Sequence, residues 1–267
     1  MSGCRVVLVG YGAIGQRVAG LLGARGTQGV VICGVAVRNA AALHTLPPAA
    51  RLITDPADLA DVAPDLVVEA AGRAAVAPWG HAALAAGADF APASTSAFTD
   101  PAVLADLVDR ARAKGRQVLI APGALGGIDA LSAAARLGLD HVRHEIVKPP
   151  AAWRGTEAGS LCDLDALDAP VTFFLGTAAE AAARFPQNAN VAMISALAGL
   201  GAAQTTVALV ADPAASRNAH RLQASGDFGT LSLTLENRPM ATNPKTSELT
   251  ALALVRLIEN RVNPLVI

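Results

Sequence analysis

Imidazole exchanges protons near neutral pH more readily than any other side chain, and this chain carries five histidines: His44, His81, His141, His144 and His220. His44 falls in a loop after the second strand-like run and His81 in an amphipathic helical stretch, positions usual for surface or packing residues. His141 and His144 flank the strand "VRHEIVKPP", and His220 opens "HRLQASG" after the polar turn "DPAASRNA". Periodicity does not choose among these last three. Lys148 precedes two prolines that lock the chain as it leaves a strand. With Arg154 it could hold a dicarboxylate, or both could be ordinary loop cations. Asn188 and Asn190 in "FPQNANVAM" begin a helix, as caps or as partners of a ligand amide. "TNPKTSELT" joins a polar turn to an N-cap at Thr246 or Ser247. Cys4, Cys33 and Cys162 are odd in number and lack metal or redox spacing, so reduced core thiols are expected, with no metal site and no disulfide.

A second centre of chemistry is "GYGAIG", which spaces Gly10, Gly12 and Gly15 as G-x-G-x-x-G between a strand and a helix. Gly10 permits the turn, Gly12 lets the backbone approach a pyrophosphate, and Gly15 allows close helix-to-strand packing; Ala13 and Ile14 complete the cradle. The helix amino terminus then offers free N–H groups to the anion. About twenty residues on, NAD binders place a carboxylate for the ribose, but here stand Val35, Ala36, Val37, Arg38 and Asn39. No carboxylate repels a 2′-phosphate and Arg38 could bind one, so NADP is expected to serve as well as NAD. Reactions of these cofactors need a substrate held against the nicotinamide and a group that trades a proton with it.

The elements that must position these residues fall into two textures. Apolar runs at 5–10, 30–37, 65–72, 88–94 and 116–123 alternate with helical patterns at 13–26, 55–64, 76–87 and 100–115. Asp55 and Asp100 are predicted N-caps, Pro56 and Pro101 first helical residues, and Gly87 and Gly115 terminators. The pattern predicts a doubly wound parallel α/β sheet, a dinucleotide-binding domain over 1–121. Strands at 141–149, 171–177, 205–212, 220–226 and 228–239, with helices near 178–184 and 188–203, predict an α+β substrate domain over 122–244. The segment 245–267 contains an amphipathic helix expected to pack back on the first domain.

Composition narrows the classes of function. Lys+Arg 21 against Asp+Glu 22 leaves a net charge of -1 and no basic stripe, which argues against nucleic-acid binding. Polar residues such as Ser195, Gly199 and Gln204 interrupt the longest apolar region, so a buried helix running into a strand is expected there instead of a membrane span. With no leader pattern at the amino terminus, the expected location is cytoplasmic.

Taken in order, "GYGAIG", "VVEAAG", "APGALGGIDAL", "HEIVKPPAAWRGT", "FPQNANVA", "RNAHRL" and "NPKTSELTALALVRLIEN" resemble the L-aspartate dehydrogenase family. The resemblance runs from the first strand to the last helix. It implies oxidation of L-aspartate to iminoaspartate with NAD or NADP, the imine then hydrolysing to oxaloacetate and ammonia or supplying NAD synthesis through quinolinate. It also implies an active-site histidine at His220, cofactor contacts at Ala124 and Asn190, and a homodimer. Lys148, Asn243 and Thr246 are then candidates for the two substrate carboxylates. The rival readings are a dihydrodipicolinate-reductase-like or homoserine-dehydrogenase-like enzyme, and a non-catalytic dinucleotide sensor.

Overall fold

A computed structural model describes residues 3–39 and 45–267, so His44 lies outside the described residues. The chain divides into two units, Met1–Gly123 with Thr250–Ile267, and Ala124–Leu249.

The first unit begins with β1 (Cys4–Val9), α1 (Ala13–Arg25), β2 (Val30–Ala36) and β3 (Arg51–Ile53). It continues through α2 (Leu59–Val62), β4 (Leu66–Glu69), α3 (Arg73–Ala85), β5 (Asp89–Pro92) and α4 (Pro101–Lys114). The strands form one parallel sheet in the order β3-β2-β1-β4-β5. Alternation along each strand feeds two faces: Val6, Leu8, Leu66 and Val68 pack with Val18 and Leu22 of α1, while Phe90 and Leu107 close on Gly80 of α3. This is the doubly wound, Rossmann-like half that the sequence predicts.

Local signals place its helix ends. Asp55 and Asp100 accept hydrogen bonds from the N–H groups of Ala57 and Ala102 at 2.9 Å, each with a proline following. Gly115 ends α4 in the left-handed conformation. Two expectations need correction. The run 116–123 is no strand; it makes a single parallel bridge between Val118 and Phe90, because Pro92 on the facing strand has no N–H to donate to the Leu119 carbonyl and extend the ladder. Conversely, the short edge strand β3 has only three residues, too few for alternation to announce it.

The second unit contains α5 (Ile128–Ala134), β6 (Leu139–Lys148), α6 (Ala158–Leu161), β7 (Val171–Thr177), α7 (Ala178–Arg184) and α8 (Ala189–Ala198). β8 (Thr206–Ala211), β9 (Asn218–Gly226), β10 (Gly229–Asn237) and the short pair β11 (Pro239–Met240) and β12 (Asn243–Ser247) follow. Its sheet is mixed, in the order β10-β9-β6-β8-β7, with β6 and β8 parallel and the other neighbours antiparallel. Trp153, Phe174, Phe185 and Ile146 form its aromatic-rich core. The long apolar region becomes the buried helix α8 followed by the buried strand β8, and no described helix is long and apolar enough to cross a membrane. Helix α8 is shorter than the predicted 188–203, ending at Gly199. The predicted polar turn at Asn243 is instead the strand β12, paired with β11.

The closing helix α9 (Glu248–Glu259) is capped by Ser247, whose Oγ accepts from the N–H of Leu249 at 3.2 Å. From Thr250 onward it belongs to the first unit, where Ala251, Leu254, Val255 and Ile258 join the core beside α1. Each large apolar side chain so buried stabilises by about 1.5–3 kcal/mol. Arg25 adds an ion pair to Glu259 at 2.7 Å, but a guanidinium this exposed contributes little.

Candidate active site

In the first unit, the strand order reverses between β1 and β4, the place where open parallel sheets leave a crevice at their carboxyl ends. A cavity of about 720 Å³ opens there, within the about 300–1,000 Å³ usual for ligand sites. Gly10, Gly12, Arg38, Thr54, Ala71 and Trp79 are among its lining residues. The three glycines differ in what a side chain would meet. At Gly10, with φ +91°, a Cβ would sit 2.7 Å from the backbone of Ala70; at Gly15 it would sit 2.2 Å from the carbonyl oxygen of Gly10. At Gly12 it would meet nothing within 4 Å. Thus Gly10 and Gly15 are glycine because the protein occupies the space, whereas Gly12 is open towards the cavity. That is the cradle a dinucleotide pyrophosphate needs at the amino end of α1, where Ala13 and Ile14 form the first turn.

The opposite wall, Ala70–Gly72, is held by a residue that sequence reasoning passed over. Glu69 ends β4 fully buried, and its Oε1 accepts from the N–H groups of Ala71 and Gly72 at 2.7 Å each. Ser94 donates to it through Oγ at 2.9 Å and through its N–H at 3.2 Å. Burial pushes the carboxyl pKa up, and these bonds pull it back. The signal for such a role, a lone acid in the apolar run "LVVE" followed by glycine three residues on, is weak without the contact.

In the second unit the register of β6 against β9 assembles a polar cluster inside an apolar face. Alternation puts Val142, His144, Ile146 and Lys148 on one side of β6, and pairing sets Ile146 opposite His220. His144 and His220 are therefore diagonal neighbours, close enough for side chains to meet. The His144 Nε2 and His220 Nδ1 lie 3.1 Å apart, and the His144 Nδ1 lies 3.0 Å from the Ser195 Oγ on α8. Burial pushes the His144 pKa down to about 4. It also holds that of His220 well below the ordinary 6.5, helped by the neighbouring His144 ring and by the charge of Lys148. Both rings are neutral at pH 7. Lys148 is partly buried and its Nζ sits 4.8 Å from the centre of the Trp153 ring; desolvation lowers its pKa to about 8. No carboxylate is paired with it among the described residues' ion pairs.

The other sequence-predicted residues separate. His141 is exposed at the start of β6, and the His81 Nε2 bonds Asp106 at 2.5 Å on the surface of α3. Arg154 is exposed and paired with Asp165. The Ala124 carbonyl accepts from the buried Asn237 Nδ2 at 2.9 Å. Asn188 is the buried residue just before α8, where its side chain makes no capping bond and its Nδ2 has no partner among the described residues, and Asn190 is exposed as the second residue of the helix. The Asn243 Nδ2 donates to the Thr246 Oγ1 at 3.1 Å, so these two are brought together on β12.

The aspartate dehydrogenase C-terminal family matches residues 129–261, and the homoserine dehydrogenase NAD-binding family matches residues 10–121. The chain is 57% identical to an L-aspartate dehydrogenase of Brucella anthropi, over 98% of each chain. It belongs to the L-aspartate dehydrogenase family. An L-aspartate dehydrogenase of Polaromonas sp. is 44% identical over 98% of this chain and 99% of its own. The crystal structure of aspartate dehydrogenase from Thermotoga maritima superposes with a TM-score of 0.77 at 26% identity, covering 99% of both chains. An L-aspartate dehydrogenase family member requires a nicotinamide cofactor, and the cavity at Gly12 fits one. Sequence reasoning missed Ser195 and Asn237, which look like ordinary helix and strand residues until the bonds to His144 and Ala124 are seen.

Proposed function

We propose that this chain oxidises L-aspartate to iminoaspartate with NAD or NADP, and that His220 takes up the proton released from the substrate amino group. The observation that carries the reading is the buried imidazole of His220, its Nδ1 3.1 Å from the His144 Nε2 on one face of the sheet, with burial and the charge of Lys148 lowering its basicity. A bound nicotinamide supplies the acceptor for two electrons and one hydrogen from the substrate α-carbon. Gly12 and the first turn of α1 hold the pyrophosphate, Arg38 faces the ribose end, and Ala124 and Asn190 contact the nicotinamide portion. Lys148 attracts a substrate carboxylate, with Asn243 and Thr246 as further polar partners. A homodimer, carried by family resemblance, completes the reading.

The direct test follows reduced nicotinamide absorbance with L-aspartate, homoserine and a panel of other amino acids, using each cofactor. Turnover on L-aspartate above all others is expected. Preference for homoserine, or tight cofactor binding with no turnover, would overturn the assignment.

Two substitutions test individual roles. Lys148→Met is expected to raise KM for aspartate about tenfold, the worth of one charge-assisted hydrogen bond of about 1.5 kcal/mol, with a smaller change in kcat. Because the lysine is charged below its depressed pKa of about 8, KM in the parent enzyme should climb as pH rises through that value. An unchanged KM would remove Lys148 from the substrate site. Arg38→Ala is expected to weaken NADP relative to NAD about tenfold by the same arithmetic. Steady-state KM values for both cofactors check this, and an unaltered ratio would mean that Arg38 does not touch the 2′-phosphate.

A further inference from the structure

His220 does not stand alone. Its Nδ1 faces the His144 Nε2, the His144 Nδ1 faces the Ser195 Oγ, and that hydroxyl lies 3.0 Å from the Ala192 carbonyl and 3.3 Å from that of Val191. A neutral imidazole has one N–H and one lone pair, so the partner of one nitrogen dictates the state of the other. The two carbonyls only accept. The Ser195 hydroxyl, bonding back within its own helix as serines in helices commonly do, spends its single proton there. It therefore receives the His144 Nδ1–H. With the hydroxyl proton kept on the helix carbonyls, the His144 Nε2 is the acceptor and the His220 Nδ1–H its donor. The tilted rings, 48° apart, suit an N–H aimed at an in-plane lone pair.

We propose that His144 and Ser195 are positioning residues that fix the tautomer of His220, keeping its Nε2 as the unprotonated, proton-accepting nitrogen. This rests on the reading of His220 as the proton acceptor. The step balances simply. The substrate ammonium loses a proton to the His220 Nε2, and the resulting imidazolium keeps its Nδ1–H bond to the His144 Nε2, which gains no proton itself. The ring pair thus does with a neutral imidazole what a carboxylate does behind the histidine of a hydrolase triad. Among the described residues Lys148 on β6 is the group charged at neutral pH that acts on His220, while Glu145 and Arg221 pair with each other, and Glu145 also pairs with Arg143. Chance does not require a serine at the one position of α8 that caps a buried histidine; an apolar residue there would leave the His144 Nδ1 unsatisfied, which costs about 1–3 kcal/mol.

Nitrogen-15 NMR of histidine-labelled full-length protein reads the ring states directly, without substrate. The His220 signals should show a protonated Nδ1 and a lone pair on Nε2 in the parent, and a shift towards protonated Nε2 in His144→Leu. In that variant kcat should fall between about ten- and a hundredfold, the usual worth of a group that orients a working imidazole, with KM for aspartate little changed. His144→Gln, whose carbonyl can again accept from Nδ1, should restore the tautomer and most of the rate. A protonated Nε2 in the parent would overturn the proposal even if His144→Leu failed to fold. So would an unaltered tautomer and rate in a folded His144→Leu. Full activity of His220→Ala, with the NMR result as expected, would instead refute the proton-acceptor role and leave the tautomer assignment standing.

Discussion

His220→Ala is expected to lower kcat for aspartate oxidation at least about a hundredfold, the lower end for loss of a general acid or base, while cofactor binding is unchanged. The side chain is only 6% exposed, so truncation also removes packing. His220→Gln separates the two effects, since it keeps most of the volume and can still donate towards the His144 Nε2. If proton transfer is the role, both variants lose rate alike, although urea midpoints will differ. A glutamine variant with near-normal turnover would sink it. The pH profile adds a sign. Burial holds the His220 pKa well below 6.5, so the neutral, accepting form is fully present at pH 6.5 and above. The rate through this group should stay level from neutral pH down past 6.5 and fall only when pH drops through the depressed value. An acid limb centred near or above 6.5 would point to a different base.

The second large effect is at the glycine cradle, where two neighbouring substitutions should fail for opposite reasons. Backbone at Gly12 is extended, with φ -79° and ψ -159°, a conformation that suits a branched residue, and a Cβ there meets nothing within 4 Å. Gly12→Val should therefore fold with an unaltered Tm. It should nevertheless raise the dinucleotide KM about a hundredfold, as expected when a bound group is displaced on the ångström scale. At Gly15 the Cβ would lie 2.2 Å from a backbone oxygen, which no rotamer can relieve. Gly15→Ala should lower Tm by several degrees, following from about 1–3 kcal/mol of overpacking, whether or not cofactor is present. Thermal unfolding and cofactor titration on the pair check this. A Gly12→Val protein that binds dinucleotide normally would show that the pyrophosphate lies elsewhere.

Much of the molecule is legible in its residues because the physics involved is local. Asp55 and Asp100 beside prolines announce helix starts, since a carboxylate and a missing N–H act within one turn. Valine-rich runs announce strands buried on both faces, and "GYGAIG" after such a run announces an anion cradle. The resemblance to L-aspartate dehydrogenases, carried by motifs along the whole chain, is likewise a property of the sequence. Where local signals were weak, reading failed in both directions: the run at 116–123 looked like a strand and makes one bridge, while β3 is too short to show alternation.

What the sequence by itself determined is the set of elements, their periods and the chemistry available. Only the tertiary structure decided which of that chemistry meets. His141, His144 and His220 look equivalent in the sequence, because alternation says which face of a strand each occupies but not what lies across from it. The antiparallel register of β6 and β9, shifted near Leu139, puts His144 and His220 diagonal to each other on a buried face and leaves His141 exposed. A slip of one residue would turn that face outward. Helix α8 then brings Ser195 from fifty-one residues away to the far nitrogen of His144, and that long-range contact bears on the direction of the hydrogen bond between the two rings.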